Sequence, residues 1–220
     1  MEEKPADYEW QMSCPQNVLI CGSSGTGKST FVEKLISTPQ LWEKPPDKIV
    51  YCYGIQSSTV NFLSQHRPEV MLIEGLPRNL STPQEMFSPH QNNLLLVDDL
   101  STETQNSRDF TNFMIRSSHH CNCCLVSIEH FLYGDSKERR LQSPHWHQYI
   151  LFKNQRSLHQ IRLLARQTSL DADKVEFAYS DATSNPYGYL VMDFRKDTVP
   201  EMRLLTNVMH EHGGPCYVYI

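Results

Sequence analysis

Residues Gly22-Ser23-Ser24-Gly25-Thr26-Gly27-Lys28-Ser29 fit the spacing G-x-x-x-x-G-K-[ST], directly between a β-type apolar run, Asn17–Cys21, and a helical pattern, Lys28–Ser37. No other feature constrains the chain as tightly. Glycines at these positions let the backbone wrap an anion with its N–H groups turned inward, and the positive end of the following helix completes the site. In such a loop Lys28 contacts the β- and γ-phosphates of a nucleoside triphosphate, and Ser29 holds Mg²⁺. The expected nucleotide-binding set is Gly22, Ser23, Ser24, Gly25, Thr26, Gly27, Lys28, Ser29 and Thr30. A glycine-rich turn without a ligand is the alternative, and the strand and helix flanks argue against it.

Leu94-Leu95-Leu96-Val97-Asp98-Asp99 reads as a buried parallel strand ending in paired carboxylates, at the edge where open α/β sheets place ligand groups. Asp98 is expected to fix Mg²⁺ directly or through water, and Asp99 to orient and deprotonate the attacking water, with Glu103 a weaker rival for that base. Alone, such a run is common as a helix or turn cap. An additional strand, Lys48–Tyr53, lies between the loop strand and the acidic strand, and a polar-ended run, 124–129, follows. This order suits the additional-strand ATPases better than small-molecule kinases. The strand after the acid pair then inserts beside the phosphate loop. Its end, Glu129 and His130, occupies a sensor position facing the γ-phosphate; a charged strand end facing solvent is the alternative.

Further apolar runs at 70–73, 149–153 and 189–194 read as strands, and the spacing of Phe110, Phe113 and Met114 reads as helix. Leu158, Ile161 and Ala165 follow a Ser157 to Gln160 capping box. Alternation of strand and helix predicts a three-layer α/β fold with a mainly parallel sheet. Residues 1–220 are expected to form one domain with short N- and C-terminal extensions, since 38–47, 76–93 and 181–186 are too short and varied to be linkers. With 39% hydrophobic residues, a sizeable core is available.

The chain is acidic, net -5, so any nucleic-acid contact must come from a local patch. Residues 137–166 hold seven Lys or Arg (Lys137, Arg139, Arg140, Lys153, Arg156, Arg162, Arg166) against Glu138 alone, a local +6. That stretch reads as a DNA-tracking face, as the source of an arginine finger, or as an ordinary solvated helix face. His119-His120-Cys121-Asn122-Cys123-Cys124 carries soft metal ligands at poor spacing and reads better as entry into a buried strand. Seven cysteines without framework spacing fit a reducing compartment. Residues 1–11 are acidic and lack a signal peptide's basic start and apolar core, and runs such as 94–97 fall far short of the roughly 18 residues a spanning helix needs. Secretion and membrane insertion are disfavoured.

Set beside Lys153-Asn154-Gln155-Arg156-Ser157, Gln160-Ile161 and Leu164-Ala165-Arg166-Gln167, these motifs make the chain resemble the FtsK/HerA-type genome-packaging ATPases. The look is nearest to those of adintoviruses and Polinton (Maverick) elements, with poxvirus packaging ATPases more distant. Lys48-Ile49-Val50-Tyr51-Cys52-Tyr53-Gly54, the Glu74-Gly75-Leu76-Pro77 turn, and Tyr187-Gly188-Tyr189-Leu190 with Asp193 and Arg203-Leu204 extend it over residues 17–206.

The resemblance implies a motor that hydrolyses ATP to ADP and phosphate, assembles as a homo-oligomeric ring at a capsid vertex, and pumps double-stranded DNA. Its cofactors are ATP and Mg²⁺. Its partners are duplex DNA, further copies of itself and capsid or portal-vertex proteins, not a membrane, and its setting is the host nucleus or cytoplasm or the virion. The implied catalytic set is Lys28, Asp98, Asp99, Glu129 and an arginine finger, Arg156 or Arg166. One departure stands out: this group usually carries Gln or Asn at the sensor, where Glu129-His130 stand here. A carboxylate near the γ-phosphate is repelled unless protonated or turned away, so sensing differs or is impaired. Without a nuclease-like carboxylate constellation, a large-terminase type of motor is disfavoured. Two other functions stay open: a P-loop helicase or remodelling ATPase, and a non-hydrolysing nucleotide-gated DNA-binding or capsid-assembly protein.

Overall fold

The computed structural model describes residues 3–5, 9–210 and 215–220. Ten strands form one sheet: β1 (Glu3–Pro5), β2 (Asn17–Cys21), β3 (Lys48–Tyr53), β4 (Met71–Glu74), β5 (Asn93–Asp98), β6 (Cys123–Glu129), β7 (Gln148–Phe152), β8 (Tyr189–Asp193), β9 (Leu204–Thr206) and β10 (Tyr217–Tyr219). The helices are α1 (Lys28–Ser37), α2 (Ser58–His66), α3 (Ser101–Asn106), α4 (Arg108–Asn112), α5 (Ser118–His120), α6 (Lys137–Gln142), α7 (Leu158–Gln167) and α8 (Ala172–Ala182). A π-helical turn, Phe113–Ser117, joins α4 to α5.

Spatial order is β1-β10-β9-β8-β7-β2-β6-β5-β3-β4. From β4 to β7 every ladder is parallel, and β6 pairs with β2 on one side and β5 on the other. The strand after the acidic strand therefore does insert beside the loop strand. Beyond β7 the ladders turn antiparallel, so the sheet is mixed to a greater degree than the strand–helix alternation suggests. The cause is the helix pair between β7 and β8. A single crossover helix returns the chain for a parallel strand, whereas α7 and α8, joined by four residues, carry it down and back up. Residues 183–188 consequently lie at the same sheet edge as the phosphate loop.

Both sheet faces are covered, which is why the strands read as unbroken apolar runs. Leu19, Cys21, Val50, Leu95, Val97 and Leu125 pack against Phe110, Phe113, Ile161, Leu164, Val175 and Tyr179 of α4, the π turn, α7 and α8. Val18, Ile20, Tyr51, Leu96, Val126 and Ile150 pack against Phe31, Val32, Leu35, Val60 and Leu63 of α1 and α2. The result is a three-layer α/β fold. Cys123 and Cys124 are fully buried at the start of β6, as the strand reading holds, Cys121 is buried just after α5, and no metal-holding cluster of three His, Cys, Asp or Glu occurs among the described residues. The Ser157 capping box does not form: Ser157 makes no side-chain cap, and Gln160 Oε1 instead accepts from the Leu132 N–H at 3.4 Å. No helix among the described residues is long and apolar enough to cross a membrane.

Candidate nucleotide site

The loop between β2 and α1 needs its glycines for two different reasons. Gly25 and Gly27 sit in the left-handed region, φ 75° and 106°, and a Cβ on Gly22 would come within 2.5 Å of the Phe152 Cβ. Thr26 Oγ1 donates to the Ser23 carbonyl at 2.7 Å and pins the turn. Lys28 folds back over the loop, its Nζ donating to the carbonyls of Gly22 at 2.6 Å and Ser23 at 2.8 Å. Burial lowers its pKa, with Cys21, Asp98 and Asp99 pulling the other way. A polyphosphate in the loop would relieve that cost by giving the desolvated ammonium a counter-charge.

Across a cavity of about 450 Å³ the loop residues Ser24, Gly25, Lys28, Ser29 and Thr30 face Asp98, Asp99 and His130. The spacing of three strands accomplishes this: β5 ends at the acids, β2 at the loop, and β6 between them at His130. Tyr51 of β3 donates its hydroxyl to Asp98 Oδ2 at 2.6 Å. Desolvation raises the Asp98 pKa, while the Tyr51 bond lowers it and fixes the carboxylate in place. Asp98 and the Ser29 hydroxyl are hard oxygen donors of the kind Mg²⁺ takes alongside phosphate and water, so the residues present fit that ion. Asp99 adopts φ 55°, a left-handed conformation that Asp tolerates better than most residues, and its side chain is exposed to the cavity. Gly54 makes room for this turn, since a Cβ there would meet the Asp99 carbonyl at 2.3 Å. Glu103 is exposed on α3 and does not line the cavity.

The two residues expected at the sensor part company. His130 Nε2 lies 3.7 Å from Asp99 Oδ1 and lines the cavity. Glu129 does not reach it. As the last residue of β6 its side chain takes the opposite face, where it is 3% exposed and pairs with Arg139 Nη1 at 2.8 Å, with Ser127 Oγ donating at 2.9 Å. Arg139 Nη2 also donates to the carbonyls of Phe131 and Leu132, tying α6 to the segment after the strand. The repulsion expected of a carboxylate at the γ-phosphate is thus avoided by turning it away. Because both charges are buried, Arg139→Ala is expected to destabilise the fold by about 3–5 kcal/mol in denaturant titration, and the double replacement of Arg139 and Glu129 by Met to recover most of that loss. Equal stability of Arg139→Ala and the parent chain would contradict a buried, uncompensated Glu129.

The basic stretch is also divided by the fold. Arg139 is consumed by Glu129, and Arg162 pairs with Asp173 at 2.8 Å and with Glu176. Lys137, Arg140, Lys153, Arg156 and Arg166 remain exposed. Arg156 follows β7 and lines a second cavity, about 540 Å³, with Lys153, His130 and the loop's own Ser23, Ser24 and Thr26. Buried Asn154 holds this corner: its N–H donates to the Tyr179 hydroxyl at 2.7 Å, its side chain donates to the His130 carbonyl at 3.3 Å, and its Oδ1 accepts from the Arg156 N–H. Arg166, on the last turn of α7, lines neither cavity. Tyr51, Asn154 and Tyr187 are site residues to which the sequence assigned no role; all three lay within family-like blocks, which was their only signal.

No protein-family model matches the chain, and no curated protein does. Solved structures do. The chain is similar to B204, the DNA-packaging ATPase from Sulfolobus turreted icosahedral virus, at TM-score 0.56 and 12% identity, over 85% of this chain and 96% of that one. The genome-packaging NTPase B204 from Sulfolobus turreted icosahedral virus 2, in complex with ATP-gammaS, superposes at TM-score 0.54 and 13% identity, over 83% of this chain and 94% of that one. At such identities the likeness speaks for the fold, and the fold is that of a P-loop NTPase.

Proposed function

We propose that this protein is an ATPase that hydrolyses Mg-ATP to ADP and phosphate and couples turnover to movement of double-stranded DNA into a capsid, as in the packaging motors its motifs resemble. The observation that carries this reading is the meeting, across one cavity, of Lys28 and Ser29 from the loop, Asp98 and Asp99 from β5, and His130 from the strand between them. When bound, Mg²⁺ would screen the triphosphate charge, held by Ser29 and Asp98. This chain's own residues do the rest. The loop N–H groups and Lys28 hold the phosphates, Asp99 accepts a proton from the attacking water, and His130 keeps Asp99 oriented. The fold shared with two viral packaging enzymes supports the assignment of the work done.

Replacement of Asp99 by Asn is expected to leave Mg-ATP binding largely intact and to lower turnover at least about a hundredfold, the scale of a lost positioned base. Equal loss of binding in Asp98→Asn and Asp99→Asn would mean that the two carboxylates share one role. Multiple-turnover phosphate release with and without linear duplex DNA tests the function itself: stimulation by duplex supports a translocase, strand unwinding would favour a helicase, and a single turnover without release would favour a nucleotide-gated binding protein.

Arg156 stands beside its own loop, the place of a cation acting within the subunit. Arg166 is exposed and away from that loop, which leaves it as the arginine donated to a neighbour's site in a ring. Lys137, Arg140 and Lys153 are the remaining exposed cations for a backbone-directed DNA surface.

A further inference from the structure

Next to the phosphate loop lies another cavity, about 530 Å³, lined by Gly27, Thr30, Phe31, Lys34, Phe152, Tyr187 and Tyr189 and containing neither the acids nor His130. Its floor is a buried aromatic cluster. Ring centroids of Phe31 and Tyr189 are 5.1 Å apart, of Phe152 and Tyr189 5.2 Å, and of Phe31 and Phe152 5.9 Å. Over this floor Tyr187 is 67% exposed, at φ 64°, a left-handed conformation uncommon for a bulky side chain. Its ring rests on the loop: a Cβ on Gly27 would lie 3.2 Å from both the Cβ and Cδ1 of Tyr187. Tyr187 also lines the cavity that holds Lys28 and Asp98, so it stands at the junction of the two.

A triphosphate in the loop has a direction. On the nucleotide reading, with the terminal phosphate toward Asp98, Asp99 and His130, the sugar and base leave the loop on its other side, over Gly27 and Thr30. The aromatic cavity is where they arrive. We propose, resting on the nucleotide reading above, that this cavity is a purine site in which the Tyr187 ring stacks on the base while Thr30 and Lys34 meet its polar edges. A stacking platform is tolerant of base identity but rewards the larger purine face, so adenine and guanine nucleotides are favoured over uridine nucleotides.

The test is calorimetric titration of the purified full chain with Mg-ATP, Mg-UTP and magnesium tripolyphosphate. The parent chain is expected to bind ATP about tenfold or more tightly than tripolyphosphate or UTP. Tyr187→Ala is expected to lose that advantage while binding tripolyphosphate as the parent does, which also shows that the variant is folded, and Tyr187→Phe to keep it. Equal affinity of the parent for ATP and tripolyphosphate, or an unchanged ATP affinity in Tyr187→Ala, would overturn the purine site and leave the phosphate loop standing. Failure of the parent to bind any of the three would overturn both.

Discussion

The Lys28→Ala protein is expected to release no phosphate above background and to bind Mg-ATP weakly, while remaining folded. Lys28 is the only lysine or arginine among the residues lining the cavity shared by the loop and the acids. No other assured cation there can take up charge on the β- and γ-phosphates. Its removal is tolerable for the fold because the ammonium is held at a desolvation cost and bonds only to the carbonyls of Gly22 and Ser23. Thermal melting beside a phosphate-release assay separates the two effects. Undiminished release by a folded variant would remove the loop from the mechanism.

An Arg166→Ala subunit is expected to lose about 10³-fold or more of its turnover, the range of a missing arginine finger, without losing ATP binding. Mixing decides whether the arginine acts across an interface. Subunits carrying Lys28→Ala but an intact Arg166 should restore turnover to Arg166→Ala subunits, because one interface then pairs a working pocket with a donated guanidinium. Arg156→Ala subunits should not be rescued in this way, because Arg156 stands beside the loop of its own chain. Rescue of Arg156→Ala and not of Arg166→Ala would reverse the two roles, and full activity of both variants would assign these arginines to the surface.

The loop and the acid pair were legible because each is a local pattern with a fixed backbone consequence. Glycines at 25 and 27 answer to positive φ, and an apolar run ending in Asp98 answers to a buried parallel strand. The insertion of β6 between β2 and β5 was anticipated because the strand order suits the additional-strand ATPases, in which the strand after the acid pair takes that place. Strand parity at the end of β6 was not. A shift of one residue exchanges the faces of Glu129 and His130, and what settles it is Arg139, ten residues on, closing over Glu129. The antiparallel half of the sheet was hidden for a related reason. Val175, Ala178, Tyr179 and Ala182 do recur with helical spacing, but only recognition of α8 as the second of two successive helices turns that pattern into a reversal of β8. The same reversal carries Tyr187 to Gly27, a contact between residues 160 positions apart that no local pattern encodes.

ATP turnover at this loop is expected to move the protein along duplex DNA. Displacement of a fluorescent third strand from a triplex at the end of a linear duplex measures that movement directly. With Mg-ATP the parent chain is expected to displace the strand without separating the duplex, and Lys28→Ala and Asp99→Asn to leave it in place. Steady phosphate release with no displacement at any protein concentration, or displacement that proceeds equally with Lys28→Ala, would contradict it.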